Sequence, residues 1–210
     1  MEPDGLVFDV HSISLNEIRE EQEYEGQRVK LMALLGKARI SLQIDVAFGD
    51  AITPRVHEVD FPSLLEMPTP RIRTYPKETV VAEKLQSIIY LGMQNSRMKD
   101  FFDLFWLSRV FPFDGHVLLK AIRATFQRRK TDIPSQLPLA LSDEFSLDPV
   151  KQTQWKAFLN KNGILELPEN LTDIIAKLRK FLVPALNAAA GNNTFLLSWP
   201  SGGPWQHKDH

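Results

Sequence analysis

Apolar and polar residues alternate between Arg28 and Phe48, then recur at three- and four-residue intervals from Val80 onward, so strands come first and helices follow. Arg28 to Leu35 places Val29, Leu31, Ala33 and Leu35 on one face, and Gly36-Lys37-Ala38 supplies a turn. Arg39 to Phe48 alternates more cleanly. Ile40, Leu42, Ile44, Val46 and Phe48 share a face, and the first four are expected in the core; Asp45 shares the opposite face with Arg39, Ser41, Gln43 and Ala47. These two strands are predicted to pair antiparallel. Leu6 to Val10 is a short strand candidate ahead of a polar, acidic segment that runs through Glu25. Pro54, Pro62, Pro68, Pro70 and Pro76 then punctuate an extended connection, with short strand candidates at Val56 to Phe61 and Arg71 to Tyr75.

Val80, Val81, Leu85, Ile88 and Leu91 form the stripe of a first helix, and Lys84 falls between Val80 and Ile88 along it. A lysine there either snorkels to the rim or meets an anion in a cleft. After Gly92-Met93-Gln94 a second helix is predicted to start at Asn95 or Ser96, both good N-caps, which puts Asp100 and Asp103 on one face of its first turns. Later helices are expected over His116 to Arg129, from Asp148-Pro149 through Leu159, and over Leu171 to Leu186, with Asn187 to Asn193 fraying. The fold class is α+β. Residues 1–75 read as a sheet region, 76–112 as a two-helix block, 113–190 as a helical region and 191–210 as a flexible Pro/Gly-rich tail.

Composition narrows the chemistry. With 210 residues, 43% hydrophobic and 24% charged, and a formal net charge of −1, the profile is that of an ordinary globular protein, and bulk charge does not point to nucleic acid or membrane. Zero cysteines remove disulfides and thiolate metal sites. No apolar run approaches a spanning helix and no signal peptide is visible at the N-terminus, so the cytoplasm is the expected location. There is no GxxxxGK[ST], GxGxxG, HExxH or GxSxG, and histidines 11, 57, 116, 207 and 210 are scattered. The basic group Lys120, Arg123, Arg128, Arg129 and Lys130 reads either as a solvated helix face or as a nucleic-acid patch. Asp45 is likewise either a solvated strand aspartate or a carboxylate presented for metal or substrate. Asp100 is either an acid favoured by the helix N-terminus or part of a site.

The segments LQIDVAFGDAITP, YPKETVVAEKLQSIIYLGMQNSRMKDFFDLF, AIRATFQRR, DPVKQTQWKAFL and the WPSGGPW tail, in this order, resemble the AbiEii/AbiGii nucleotidyltransferase toxins of abortive-infection systems. That resemblance implies a polymerase-β-like nucleotidyltransferase sheet followed by a C-terminal helical region. It implies transfer of a nucleotide from a nucleoside triphosphate with a divalent metal, Mg2+, and an antitoxin partner; related toxins act on RNA, tRNA acceptor ends in particular. By the same resemblance Asp45 matches a catalytic, metal-binding strand carboxylate and Lys84 the lysine that contacts substrate phosphates. Asp100 matches the late motif aspartate, with Lys99 and Asp103 beside it as substrate-binding residues.

One departure shapes the expectation for activity. The family's Gly-Ser turn and D-x-D strand should precede Arg28, where only DGLVFDV and the acidic segment Ser14 to Glu25 stand. The chain therefore looks like a family protein lacking its first portion. On its own it is expected not to transfer nucleotide, and the alternative function is an inactive remnant or binding module that keeps the helical half.

Overall fold

Gly36 and Lys37 close the expected hairpin in a computed structural model that describes residues 5–19, 25–49, 51–63, 66, 68–164 and 170–208. The latter part of the acidic segment, residues 20–24, and His210 lie outside the described residues. Gly36 has φ +58°, at the first position of a two-residue turn, where a glycine suits the twist of the flanking strands. The chain divides into two compact units, residues 1–50 and 51–210.

The first unit is an antiparallel meander of β1 (Leu6–Arg19), β2 (Glu25–Leu35) and β3 (Ala38–Ala47) in that spatial order. Arg28 stands opposite Asp45 and Ala33 opposite Ile40, the register that the alternation requires. β1 is much longer than the Leu6–Val10 strand expected. It continues through the polar stretch because a bulge between Asp9 and Ser14 resets its register on β2. Inside the bulge the His11 amide donates to Asp9 Oδ1 (3.0 Å), and Ser12 Oγ accepts from the Met32 amide (2.8 Å), so side-chain oxygens replace missing ladder partners.

The expected burial of β3 does not hold. Leu42 and Val46 are only half-buried, Ile40 is exposed, and Ile44 is 53% exposed. Alternation specifies which side chains share a face, but burial needs a second layer, and among the described residues of this unit there is no helix to supply one. Ala33 is the one fully buried apolar residue among those described here.

In the second unit β4 (His57–Asp60) pairs with β5 (Arg71–Thr74). Helices follow: α1 (Lys77–Leu91), α2 (Met98–Val110), α3 (Gly115–Arg128), the short α4 (Asp143–Leu147), α5 (Pro149–Lys161) and α6 (Leu171–Ala190). The connection from residue 51 belongs with these helices, not with the sheet, because Thr79 Oγ1 accepts from the Thr53 amide (3.1 Å) and donates to its carbonyl (2.8 Å). α6 is central: Ile174, Ile175, Leu178, Phe181, Leu182 and Leu186 are fully buried, and α2, α3, α4 and α5 all touch it. Its last turn does not fray, since it extends to Ala190 with Ala188 and Ala189 buried. Asp148 caps α5 by accepting from the Lys151 amide, with Pro149 in the first turn as read from the sequence.

The C-terminal segment was expected to be flexible, and it is built into the core. β6 (Phe113–Asp114), β7 (Leu197–Trp199) and β8 (Gln206–His207) form a small sheet. Trp199 Nε1 donates to the Ser108 carbonyl (2.8 Å), the Gly202 amide donates to the same oxygen (3.0 Å), and Ser201 Oγ donates to the Val110 carbonyl (3.0 Å). The tail thus supplies donors to the carbonyls that α2 leaves unpaired at its C-terminus. Trp205 stacks on Phe181 at 6.0 Å and donates to its carbonyl (2.8 Å). Two tryptophans outweigh the local signal of Pro and Gly because each buries a large ring and brings a directed N–H.

Gly203 makes that loop possible. It has φ +76°, and a Cβ there would lie 2.4 Å from the Trp199 ring. Gly203→Ala should cost roughly 1–3 kcal/mol, the usual range for overpacking a core site. The check is a lowered Tm in thermal melting, while an unchanged Tm would mean that the tail contributes little to the fold.

Candidate functional site

The site is assembled where α1 meets α2. Lys84 lies at the middle of α1, on the border of its buried face; Val81, Ala82, Leu85 and Ile88 form that face, while Val80 is only half-buried. The stripe is therefore rotated slightly from the one read in the sequence, and the lysine side chain is 20% exposed. A 3-10 turn, Gly92–Gln94, ends α1. Asn95, fully buried, accepts the Arg97 amide on Oδ1 (2.8 Å), so α2 begins at Met98 with Arg97 as its N-cap residue and not at Asn95 or Ser96. The asparagine does fold the entry turn, as an Asx-type turn ahead of the helix.

This geometry delivers four predicted residues to one place. Lys84 Nζ lies 2.7 Å from Asp100 Oδ1 and 2.7 Å from Asp103 Oδ2. Lys99 Nζ reaches the same Asp103 oxygen at 2.5 Å, one helical turn back. Asp100 is 4% exposed, and its Oδ2 sits 3.1 Å from Arg97 Nε, off the line of a hydrogen bond. Arg97 was not singled out in the sequence; its i,i+3 spacing from Asp100 was the available signal.

Charge explains why the cluster holds. Burial alone works against the Lys84 ammonium, but hydrogen bonds and charge from Asp100 and Asp103 outweigh it, and its pKa is raised. For Asp103 burial again pushes the wrong way, and Lys84 and Lys99 together hold its carboxyl below the ordinary value. The result is a compact group of alternating charges with Arg97 and Lys99 on its solvent side. Chemically it presents fixed cations that can meet phosphate oxygens, and carboxylates that hold those cations in place.

A second residue missed in the sequence supports the entry turn from outside. Lys151 of α5 is 5% exposed, and its ammonium donates to the Asn95 carbonyl at 2.9 Å. Its position four residues before the buried Trp155, on the inner face of α5, was the signal.

Asp45 belongs to the first unit. Arg28 Nε and Nη2 take its two oxygens in a bidentate pair at 2.7 and 2.8 Å, and Gln43 Nε2 lies 3.3 Å from each. The Arg28 hydrogen bonds hold the Asp45 carboxyl below its usual range. This arrangement does not fit a divalent ion: both oxygens are engaged by a guanidinium, and no group of three or more His, Cys, Asp or Glu able to hold a metal occurs among the described residues. Among the described residues no helix is long and apolar enough to cross a membrane.

The two shifted groups of the cluster predict a pH response. Asp103, depressed below the ordinary 3.8, contributes stability that is present above that value and lost as pH falls through its lower folded pKa. Lys84, raised above 10.5, contributes stability that is present below that value and lost as pH rises through its higher folded pKa. Between about pH 5 and 9 both contributions should be constant. Thermal melts should therefore show a shallower acid limb in Asp103→Asn than in the parent, and superimposable limbs would remove the carboxylate from this account.

A family model described as nucleotidyl transferase AbiEii toxin, Type IV TA system, matches residues 3–186, a span that includes every residue of the cluster. No curated protein and no solved structure matches the chain. The matched span, together with an α+β architecture in which antiparallel strands precede a helical region, places this chain in the AbiEii family of nucleotidyltransferase toxins of type IV toxin–antitoxin systems.

Proposed function

We propose that the α1–α2 cluster is the phosphate-holding part of a toxin that transfers a nucleotide from a nucleoside triphosphate to RNA, tRNA acceptor ends in particular, and is checked by a cognate antitoxin in a bacterial cytoplasmic, phage-defence setting; the described residues supply this part of the reaction and not its metal-holding carboxylates. The observation that carries the reading is Lys84, kept charged and half-buried by two carboxylates inside the family-matched span. In such a transfer an acceptor hydroxyl oxygen bonds to the α-phosphorus, the bond to the bridging oxygen breaks, and pyrophosphate leaves with the electron pair. The hydroxyl proton passes to solvent. Fixed cations where that charge gathers are the contribution a protein can make to such a step. Lys84 is assigned to the phosphates, Asp100 to holding its ammonium, and Lys99 with Asp103 to the outer edge of the same grip.

Members of nucleotidyltransferase families generally work with divalent metal, Mg2+ here, and the sequence resemblance matches Asp45 to it. Engaged by Arg28, it does not provide such a site alone. That observation favours a second reading, a binding module that holds nucleotide or partner without turnover. The two are separated by offering the purified chain labelled nucleoside triphosphates, RNA and Mg2+. Incorporation at background is expected, because no carboxylate group gathers beside Asp45 among the described residues. Metal-dependent incorporation that disappears in Asp45→Ala would discard the module reading.

Nucleotide binding tests the cluster in either case. Lys84→Met fills the same volume without the charge, and Asp100→Asn keeps the shape without the anion. Each should weaken triphosphate binding by about tenfold or more, the scale of one lost charge-assisted contact, and should also lower Tm because the partner charge is left unpaired, so binding is compared well below both transitions. In any form of the protein that arrests growth on induction, both substitutions should relieve the arrest. Full toxicity in both variants would sink the site assignment.

A further inference from the structure

The outer face of α2 carries a feature that the phosphate cluster does not use. Phe102 and Trp106 stack along it, with centroids 6.3 Å apart and planes 14° from parallel, and Trp106 is 52% exposed. A tryptophan so open, on the face of α2 opposite the buried Phe101, Leu104 and Phe105, is not explained by the core. Spacing places it with the cluster: Lys99, Asp103 and Trp106 fall at i, i+4 and i+7, one stripe of the helix. The ring is thus one turn beyond the carboxylate that holds both Lys84 and Lys99.

The far side of the shelf is walled by α5. Phe158 packs on Phe102 at 5.7 Å, and Lys151 bonds to Asn95; both contacts join residues 56 apart, so α2 and α5 run side by side in the same direction. Three residues after Phe158, and so one turn beyond it on α5, stands the exposed Lys161. α5 contains three lysines and no acidic residue. An open aromatic surface walled on one side only and bordered by lysines is the construction that receives an unpaired base of a strand whose phosphates run along cations.

We propose that the Phe102–Trp106 shelf, flanked by Lys99 and Lys161, is a stacking platform for an unpaired base of single-stranded RNA, placing a strand end one helical turn from the Lys84 cluster. The inference deepens the acceptor side of the proposed function and rests on that reading only for its purpose. The stacking itself stands without turnover. It is selective for single strands because in a duplex the face of each base is already stacked.

The test is fluorescence anisotropy with a labelled single-stranded RNA of about 12 nucleotides, within the span such surfaces cover, using the whole chain and the same sequence as a duplex for comparison. The parent should prefer the single strand, and binding should weaken with salt. Trp106→Ala should lower single-strand affinity about tenfold, the effect of one lost base–aromatic stack. Trp106→Phe, which keeps a ring, should recover most of it, and Lys161→Gln should flatten the salt dependence with the shelf intact. Because Trp106 is exposed, its loss should leave Tm near the parent's. Equal affinity of parent and Trp106→Ala for the single strand would overturn the proposal, as would equal affinity of the parent for strand and duplex. A Trp106→Ala change that leaves RNA binding untouched but alters self-association by sedimentation would assign the shelf to a protein contact instead. If transfer activity proves absent while the Trp106-dependent binding is present, the proposed reaction fails and the platform stands.

Discussion

A lysine side chain that is four-fifths covered has to be kept charged, and α1 and α2 are arranged so that it can be. Lys84 reaches two carboxylates at 2.7 Å, and neither is a chance surface acid, since Asp100 is buried and Asp103 is shared with Lys99. Removing one partner from such a group leaves the other charge stranded in a region of low polarity, which costs more than the pair contributes when intact. This asymmetry fixes the approach of α1 to α2. The helices can separate only by exposing the lysine or burying an unpaired carboxylate.

The precision of that approach is set further out. Asn95 folds the entry turn of α2 through its side chain, and its carbonyl is held by Lys151 from α5. Lys151 in turn lies on the same face as Trp155, whose ring packs beside Phe158 at 5.7 Å, while the Lys151 ammonium stands over the Phe145 ring. At the other end of α2 the C-terminal loop supplies donors to the Ser108 and Val110 carbonyls. The helix that carries Arg97, Lys99, Asp100 and Asp103 is therefore fastened at both ends by segments far away in sequence. A site built on a helix so held is more exact than one carried on a loop.

How much of this was legible in the sequence follows from range. The hairpin was readable because alternation and a glycine turn are local, and so was the Lys84–Asp100 meeting, because a short link joins two strong helix patterns. Burial of Ile40 and Ile44 was not readable, since a period-2 pattern states a shared face and is silent about what covers it. β1 outran its expected end because a bulge with side-chain hydrogen bonds lets the strand pass through His11 and Ser12 into the segment that read as polar and acidic. The tail was misjudged for a related reason: Pro and Gly dominate its composition, but Trp199 and Trp205 find partners about 90 and 24 residues away, at Ser108 and Phe181. Long-range partners leave no trace in a local window.

Asp45 and Lys84 show opposite uses of the same kind of contact. Both are charged residues gripped by partners of opposite sign at hydrogen-bonding distance. Lys84 is held inside a unit with a substantial core, where desolvation makes the pairing strong and the geometry rigid. Asp45 and Arg28 face solvent on a three-stranded sheet, where water screens the pair and an exposed ion pair is worth little. Arg28 can therefore be displaced from Asp45 at small cost, whereas Asp100 cannot be drawn away from Lys84 without disturbing two helices.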